Sequence, residues 1–155
     1  MTEKNDNLLL LKISLIALIV SAISLPQFVE IISPFWILIF YIYWLIYSEN
    51  KAAYIIALLL GLILDLSQGD ILGQNALALI LGSAVILRVK KSFYVSNITT
   101  QQIYVFIASF VYLVALLIIQ IAMSGINFDW LILFAPLTSF IIWPFVRFLL
   151  AKLKH

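Results

Sequence analysis

The run from Ile103 to Met123 contains no Asp, Glu, Lys or Arg. At about 1.5 Å per residue, a helix of that length crosses the ~30 Å hydrocarbon core of a bilayer. Inside hydrocarbon the backbone has no water to bond, so a spanning segment must be a helix or part of a closed barrel. This stretch alone restricts the chain to a small set of folds. Composition extends the restriction to the whole. Of 155 residues, 65% are hydrophobic and 10% are charged, whereas a soluble domain carries about 25% charged residues. Mean hydropathy is +1.18. Several apolar stretches are long enough to span, which separates an integral protein from one lying on the surface. The reading is a single all-α membrane domain over residues 1–155, without internal repeats.

Six helices are expected, at about 8–25, 34–47, 52–66, 71–87, 103–123 and 130–150. The first carries Lys12, which can snorkel to the near surface. It is not read as a signal peptide, because Pro26 and Glu30 follow it instead of a small-residue cleavage pattern. Pro34 opens the second helix, where proline suits the first turn. Phe35, Trp36, Phe40, Tyr41, Tyr43, Trp44 and Tyr47 crowd that helix. Trp36 at one end, with Trp44 and Tyr47 at the other, fit the two interfacial belts, and the aromatics read as anchoring and packing ahead of a ligand-stacking box. Ser92 to Gln102 reads as the longest polar connection. Pro136 and Pro144 predict kinks in the last helix, tolerable where neighbouring groups bond the freed carbonyls.

Between the third and fourth helices lies the one polar concentration in the apolar chain, Gly61 to Ala78. Gly61, Asp65, Gly69 and Gly73 recur every four residues. Ser67-Gln68-Gly69-Asp70 reads as a turn. Two helices are therefore expected to meet at a tight polar corner, with Gly73 between packed backbones. A carboxylate within a membrane costs ~2.5–3.5 kcal/mol on insertion scales. Asp65 is accordingly read as satisfying N–H groups or amides at the corner, with Asn75 or Gln74 as its partner. A partner or ligand contact is the second reading and catalysis the third. Asp70 reads as a cap or turn residue at the start of the fourth helix. As a pair for hydrolysis, Asp65 and Asp70 lack any accompanying His, Lys or metal cluster. There is no cysteine, and the one histidine is His155. No catalytic residue, cofactor or metal site is expected.

The basic residues give an orientation. With six helices, all nine Lys and Arg fall on or beside one side, and Glu30, Asp65, Asp70 and Asp129 on the other. The positive-inside rule then places both termini in the cytoplasm. Arg88-Lys90-Lys91 and Arg147-Lys152-Lys154 read as topology determinants drawn to anionic headgroups, or as docking points for a cytoplasmic protein. The patches are small and juxtamembrane, and they do not support nucleic-acid binding.

Gly61-x-x-x-Asp65-Leu66, the short polar turn, and Leu72-Gly73-x-x-Ala76-Leu77-Ala78 resemble the signature of the MreD family of rod shape-determining proteins. The proline-led aromatic segment from Pro34 and the Trp143-Pro144 pair before a basic tail resemble it too. Ser33 stands where the family often has an arginine before the proline. The resemblance implies a non-enzymatic subunit of the bacterial inner membrane that takes part in cell elongation and regulates peptidoglycan synthesis. It implies an MreC-like single-pass partner, alongside MreB-, RodA- and class B transpeptidase-type proteins. It also implies a six-helix bundle like the substrate-capture subunits of energy-coupling-factor transporters. Size and topology suit such a vitamin-capture subunit equally, and that remains the alternative. Aromatic helix two and the small residues flanking Asp65 are the candidate partner surfaces.

Overall fold

A computed structural model describes residues 12–17, 19–20, 26, 32–47, 52–69, 71–125 and 129–153. Among them every regular element is helical. Residues 12–17, 19 and 20 form α1. It is followed by α2 (Trp36–Tyr47), α3 (Ala53–Gln68), α4 (Gln74–Val95) and α5 (Ile98–Ser124). A 3₁₀ segment, Trp130–Phe134, then leads into α6 (Ala135–Leu153). Most of the span expected at 8–25 lies outside the described residues, as do Asp70 and the turn at 48–51.

Helices α3 to α6 pack successively, each on the next, and α2 lies chiefly against α4 and α6. Ten consecutive α2 residues, Ile37 to Ile46, are buried. A helix twelve residues long measures only about 18 Å, shorter than the ~30 Å hydrocarbon core, and its neighbours rather than lipid enclose most of it. Trp44 is fully buried and stacks on Tyr41, so it packs in the interior and does not anchor in an interfacial belt, whereas Trp36 and Tyr47 at the ends of this helix are half-buried. Its even hydrophobicity around the axis is that of an interior helix. Pro34 is buried and precedes the helix, which starts at Trp36. The Phe35 N–H is held by Ser139 Oγ at 3.2 Å, and Thr138 Oγ1 donates to the Ile32 carbonyl at 2.9 Å. The start of α2 is thus pinned to α6.

The expected long connection at 92–102 is absent. Helix α4 continues through Val95, and α5 begins at Ile98. Polar composition misleads here because Gln101 is only 2% exposed. Its Nε2 donates to the carbonyls of Phe93 and Ser96, both at 3.1 Å, closing the C-terminus of α4. Its Oε1 accepts from Trp143 Nε1 (3.4 Å) and Arg147 Nη1 (2.9 Å) on α6. Within α6, Pro136 occupies the first turn, where its missing N–H costs nothing. Pro144 lies inside the helix and cannot donate to the Phe140 carbonyl. Gln102 Nε2, reaching over from α5, takes that carbonyl at 3.1 Å.

Two helices, Ile98–Met123 and Trp130–Lys152, are long and apolar enough to cross a membrane. Large apolar side chains also cover the outer faces of α5 and α6, among them Ile107, Phe110, Ile118, Ile141, Phe145 and Phe148. Among the described residues the fold is all helical, with two helices and an apolar exterior suited to a membrane.

Candidate functional site

Helices α3 and α4 form a hairpin whose closest approach lies at Gly61. A Cβ built there would stand 2.2 Å from Ala76 Cα and 2.4 Å from Ala76 N. No side chain fits, so glycine lets the two backbones touch. About two turns further on, α3 ends at Gln68. Its last turns include Ser67 and Gln68, which sequence assigns to the turn, and Gly69 closes it in the left-handed conformation at φ 72°. Within the helix the Ser67 Oγ donates back to the Leu64 carbonyl at 2.8 Å, so the hydroxyl is satisfied without a turn.

Gly73 opens α4 with φ 92°, and a Cβ added to it would have no atom within 4 Å. The expectation that it lies between packed helices is therefore wrong; the packed glycine is Gly61. Gly73 supplies a positive φ that glycine adopts without strain, and this turns its N–H toward α3.

That N–H meets Asp65. The carboxylate is 1% exposed. Oδ2 accepts from Gly73 N at 2.7 Å, and Oδ1 accepts from Asn75 N and Asn75 Nδ2, both at 2.9 Å. Asp65 therefore caps α4 from the preceding helix, meeting N–H groups that the first turn cannot bond internally. The positive end of the α4 dipole favours a carboxylate at that point. Asn75 Oδ1 in turn accepts from the Tyr112 hydroxyl on α5. The Tyr112 ring lies 4.7 Å, between centroids, from that of Phe35 just before α2. One polar chain thus links α3, α4 and α5.

Sequence reasoning missed Tyr112. A tyrosine in the middle of an apolar span, opposite an amide, was the available signal.

Chemically, the corner is occupied by its own anion: three N–H donors are spent on the Asp65 carboxylate and both of its oxygens are engaged. No group of three or more metal-ligating side chains occurs among the described residues. Trp143 and Pro144 sit well away from this corner, at the level of Gln101 and Phe93, where the Trp143 and Phe93 rings meet edge-on at 5.6 Å. Pro34, buried ahead of α2, belongs to neither group.

Both expected partner surfaces turn inward. Aromatic α2 is enclosed, and Ala57, Gly61 and Asp65 face the interior. The opposite face of α3 is bare, exposing Tyr54, Ile55, Leu58, Leu59, Ile63 and Leu66. A cavity among α1, α2 and α3 measures about 10 Å³, far below the ~300 Å³ at which small-molecule pockets begin.

The family of the rod shape-determining protein MreD matches residues 1–153. The rod shape-determining protein MreD of Haemophilus influenzae (strain ATCC 51907 / DSM 11121 / KW20 / Rd) is 25% identical over 148 residues, covering 94% of this chain and 90% of that protein. No solved structure matches. Nothing in these comparisons favours a vitamin-capture subunit. The match runs from the first residue through the glycine-lined corner and on to the last turn of α6, and the chain belongs to the MreD family of rod shape-determining proteins.

Proposed function

We propose that the protein is a non-enzymatic subunit of the bacterial cell-elongation machinery, which holds the transmembrane helix of an MreC-like partner. Through that contact it helps position or regulate lateral peptidoglycan synthesis by RodA- and class B transpeptidase-type enzymes beside MreB-type filaments. The observation that carries this reading is a contrast in α3. Its inner face spends its polar groups on α4, while its outer face is a continuous apolar stripe. In lipid the hydrophobic effect between helices is weak, and association rests on close packing and hydrogen bonds. A long, regular stripe of Leu and Ile offers the packing.

The test is pull-down of the partner's transmembrane segment without its extracellular domain. Capture by the wild type, lost on Leu59→Trp with Leu66→Trp, is the expected result, together with loss of rod shape in cells. Binding confined to the isolated extracellular domain would refute the mechanism.

The reading includes six spans, arranged as in the capture subunits of energy-coupling-factor transporters, with both termini cytoplasmic. The absence of cysteine makes it testable with an impermeant thiol reagent on intact cells. A cysteine replacing Asn127 should label and one replacing Asn97 should not. The reverse pattern would invert the topology.

A further inference from the structure

We infer that the end of the bundle where α4 passes into α5 holds the phosphate of an anionic phospholipid at Arg147. This rests on the reading that the chain spans the bilayer with that end at headgroup level. Arg147 is half-buried near the end of α6. Its Nη1 donates to Gln101 Oε1 at 2.9 Å. Gln101 is itself fixed by two carbonyls and by Trp143, so the guanidinium is held in one orientation by a neutral group. A carboxamide does not itself neutralise the positive charge, and a guanidinium carries four further N–H donors in a planar fork.

Among the described residues the acidic side chains are Asp65 and Asp129. Asp65, on α3, bonds the first turn of α4, about 30 Å along α4 from the end that Gln101 closes. Asp129 caps the 3₁₀ segment ahead of α6, accepting from Leu131 N at 3.0 Å. Neither reaches Arg147. The same end exposes Arg88, Lys91 and Lys152, the last lying 5.0 Å from the Phe148 ring centroid. Like charge gathered around an oriented guanidinium selects an anion.

The surroundings select an amphipathic one. The connection beside Gln101 exposes Val95 at 81% and Ile98 at 49%, apolar surface on which an acyl chain can lie. An Arg fork matches two phosphate oxygens, which a lysine ammonium does as a point charge only. Basic pockets between membrane helices bind anionic headgroups in this way.

The experiment is native mass spectrometry of the full chain released from vesicles containing equal parts phosphatidylglycerol and phosphatidylcholine. Wild type should retain phosphatidylglycerol over phosphatidylcholine by about tenfold, the ratio that one charge-assisted hydrogen-bond pair supplies. Arg147→Gln should bring retention to parity, while Lys152→Gln should leave it intact. Arg147→Lys keeps the charge without the fork and should lose most of the preference. Parity in the wild type overturns the proposal, and needs no variant to fold. Equal losses in Arg147→Gln and Lys152→Gln also overturn it, since a diffuse basic surface would suffice. Displacement of the lipid by excess inorganic phosphate, with equal retention of the free ion, overturns the lipid as ligand. Any of these results with the thiol-labelling pattern intact removes the site and leaves the spanning reading standing.

Discussion

Replacing Gly61 with alanine adds one methyl group at the point where α3 and α4 touch. The added carbon would lie 2.2 Å from Ala76 Cα, 2.4 Å from Ala76 N and 2.8 Å from Asn75 C. All three are backbone atoms, so no rotamer change relieves the clash. Ordinary contact starts near 3.4 Å, so the helices must part by about 1 Å at this level. Overpacking of this kind costs ~1–3 kcal/mol. The displacement also reaches the corner one turn away, where the three hydrogen bonds to Asp65 run from 2.7 to 2.9 Å. Stretching them beyond bonding distance exposes a buried carboxylate to a loss of ~1.5–3 kcal/mol for each bond. A total of about 4 kcal/mol follows if one bond is lost along with the packing. Gly69→Ala is the control, because nothing lies within 4 Å of its Cβ position and only its φ of 72° is strained, at about 1 kcal/mol. The assay is the fraction remaining monodisperse by size exclusion after graded heating in mild detergent. Gly61→Ala should fail at a far lower temperature than Gly69→Ala. If Gly61→Ala withstands heat as well as the wild type, the helices do not meet at this glycine.

Asp65→Asn turns an amide N–H₂ toward N–H donors at the start of α4, and should cost ~3 kcal/mol in the same assay, whereas Tyr112→Phe, which removes one outer hydroxyl from the chain, should cost about 1 kcal/mol. Equal effects would mean that the carboxylate does not organise the corner. Gln102→Leu leaves the Phe140 carbonyl without a donor and should cost ~1–3 kcal/mol. Adding Pro144→Ala restores a helical N–H to that carbonyl and should recover most of the loss, a coupling that heating of the two single variants and the double variant would detect. Gly73→Leu should be tolerated better than Gly61→Leu, since its penalty is conformational strain alone.

Much of the corner was legible in the sequence because its signals are chemical. A carboxylate, an amide and glycines at helical spacing are conspicuous among Leu and Ile, and they belong together because they can only satisfy one another. Which glycine packs was not legible. Spacing places Gly61 and Gly73 alike near one face, and only the turn between them decides that one lies between helices while the other supplies a backbone angle. The aromatic helix misled for a related reason. Trp and Tyr suit a membrane interface and a protein interior equally well, and α2 shows no amphipathic pattern to decide between them. The polar run at 92–102 misled because composition cannot distinguish a glutamine in water from a buried one that bonds two carbonyls at a helix end.

The two ends of the bundle solve one problem by the same means. Helices in lipid gain little from hiding apolar surface, so what joins them must be contact or hydrogen bonding. At one end Asp65, Asn75 and Tyr112 join α3, α4 and α5. At the other Gln101 joins α4, α5 and α6. Helix α4 is therefore tied to α5 at both of its own ends, by Gln101 and by Tyr112 reaching from the middle of α5, and Gly82, whose Cβ would meet Leu38 Cδ1 at 3.1 Å and Ala108 O at 3.3 Å, brings α2 against them between the two ties. A body joined in this way has few interior polar groups left to exchange with a partner. A partner helix that had to break the Asp65 bonds to bind would forfeit several kcal/mol before gaining any contact. Recognition through the outer face of α3 avoids that cost, since Leu58, Leu59 and Leu66 already face outward. It follows that Asp65→Asn should weaken partner binding only as far as it unfolds the hairpin, and that a variant refolded by low temperature should bind normally. Loss of binding in a demonstrably folded Asp65→Asn protein would place the carboxylate at the interface and reverse the argument.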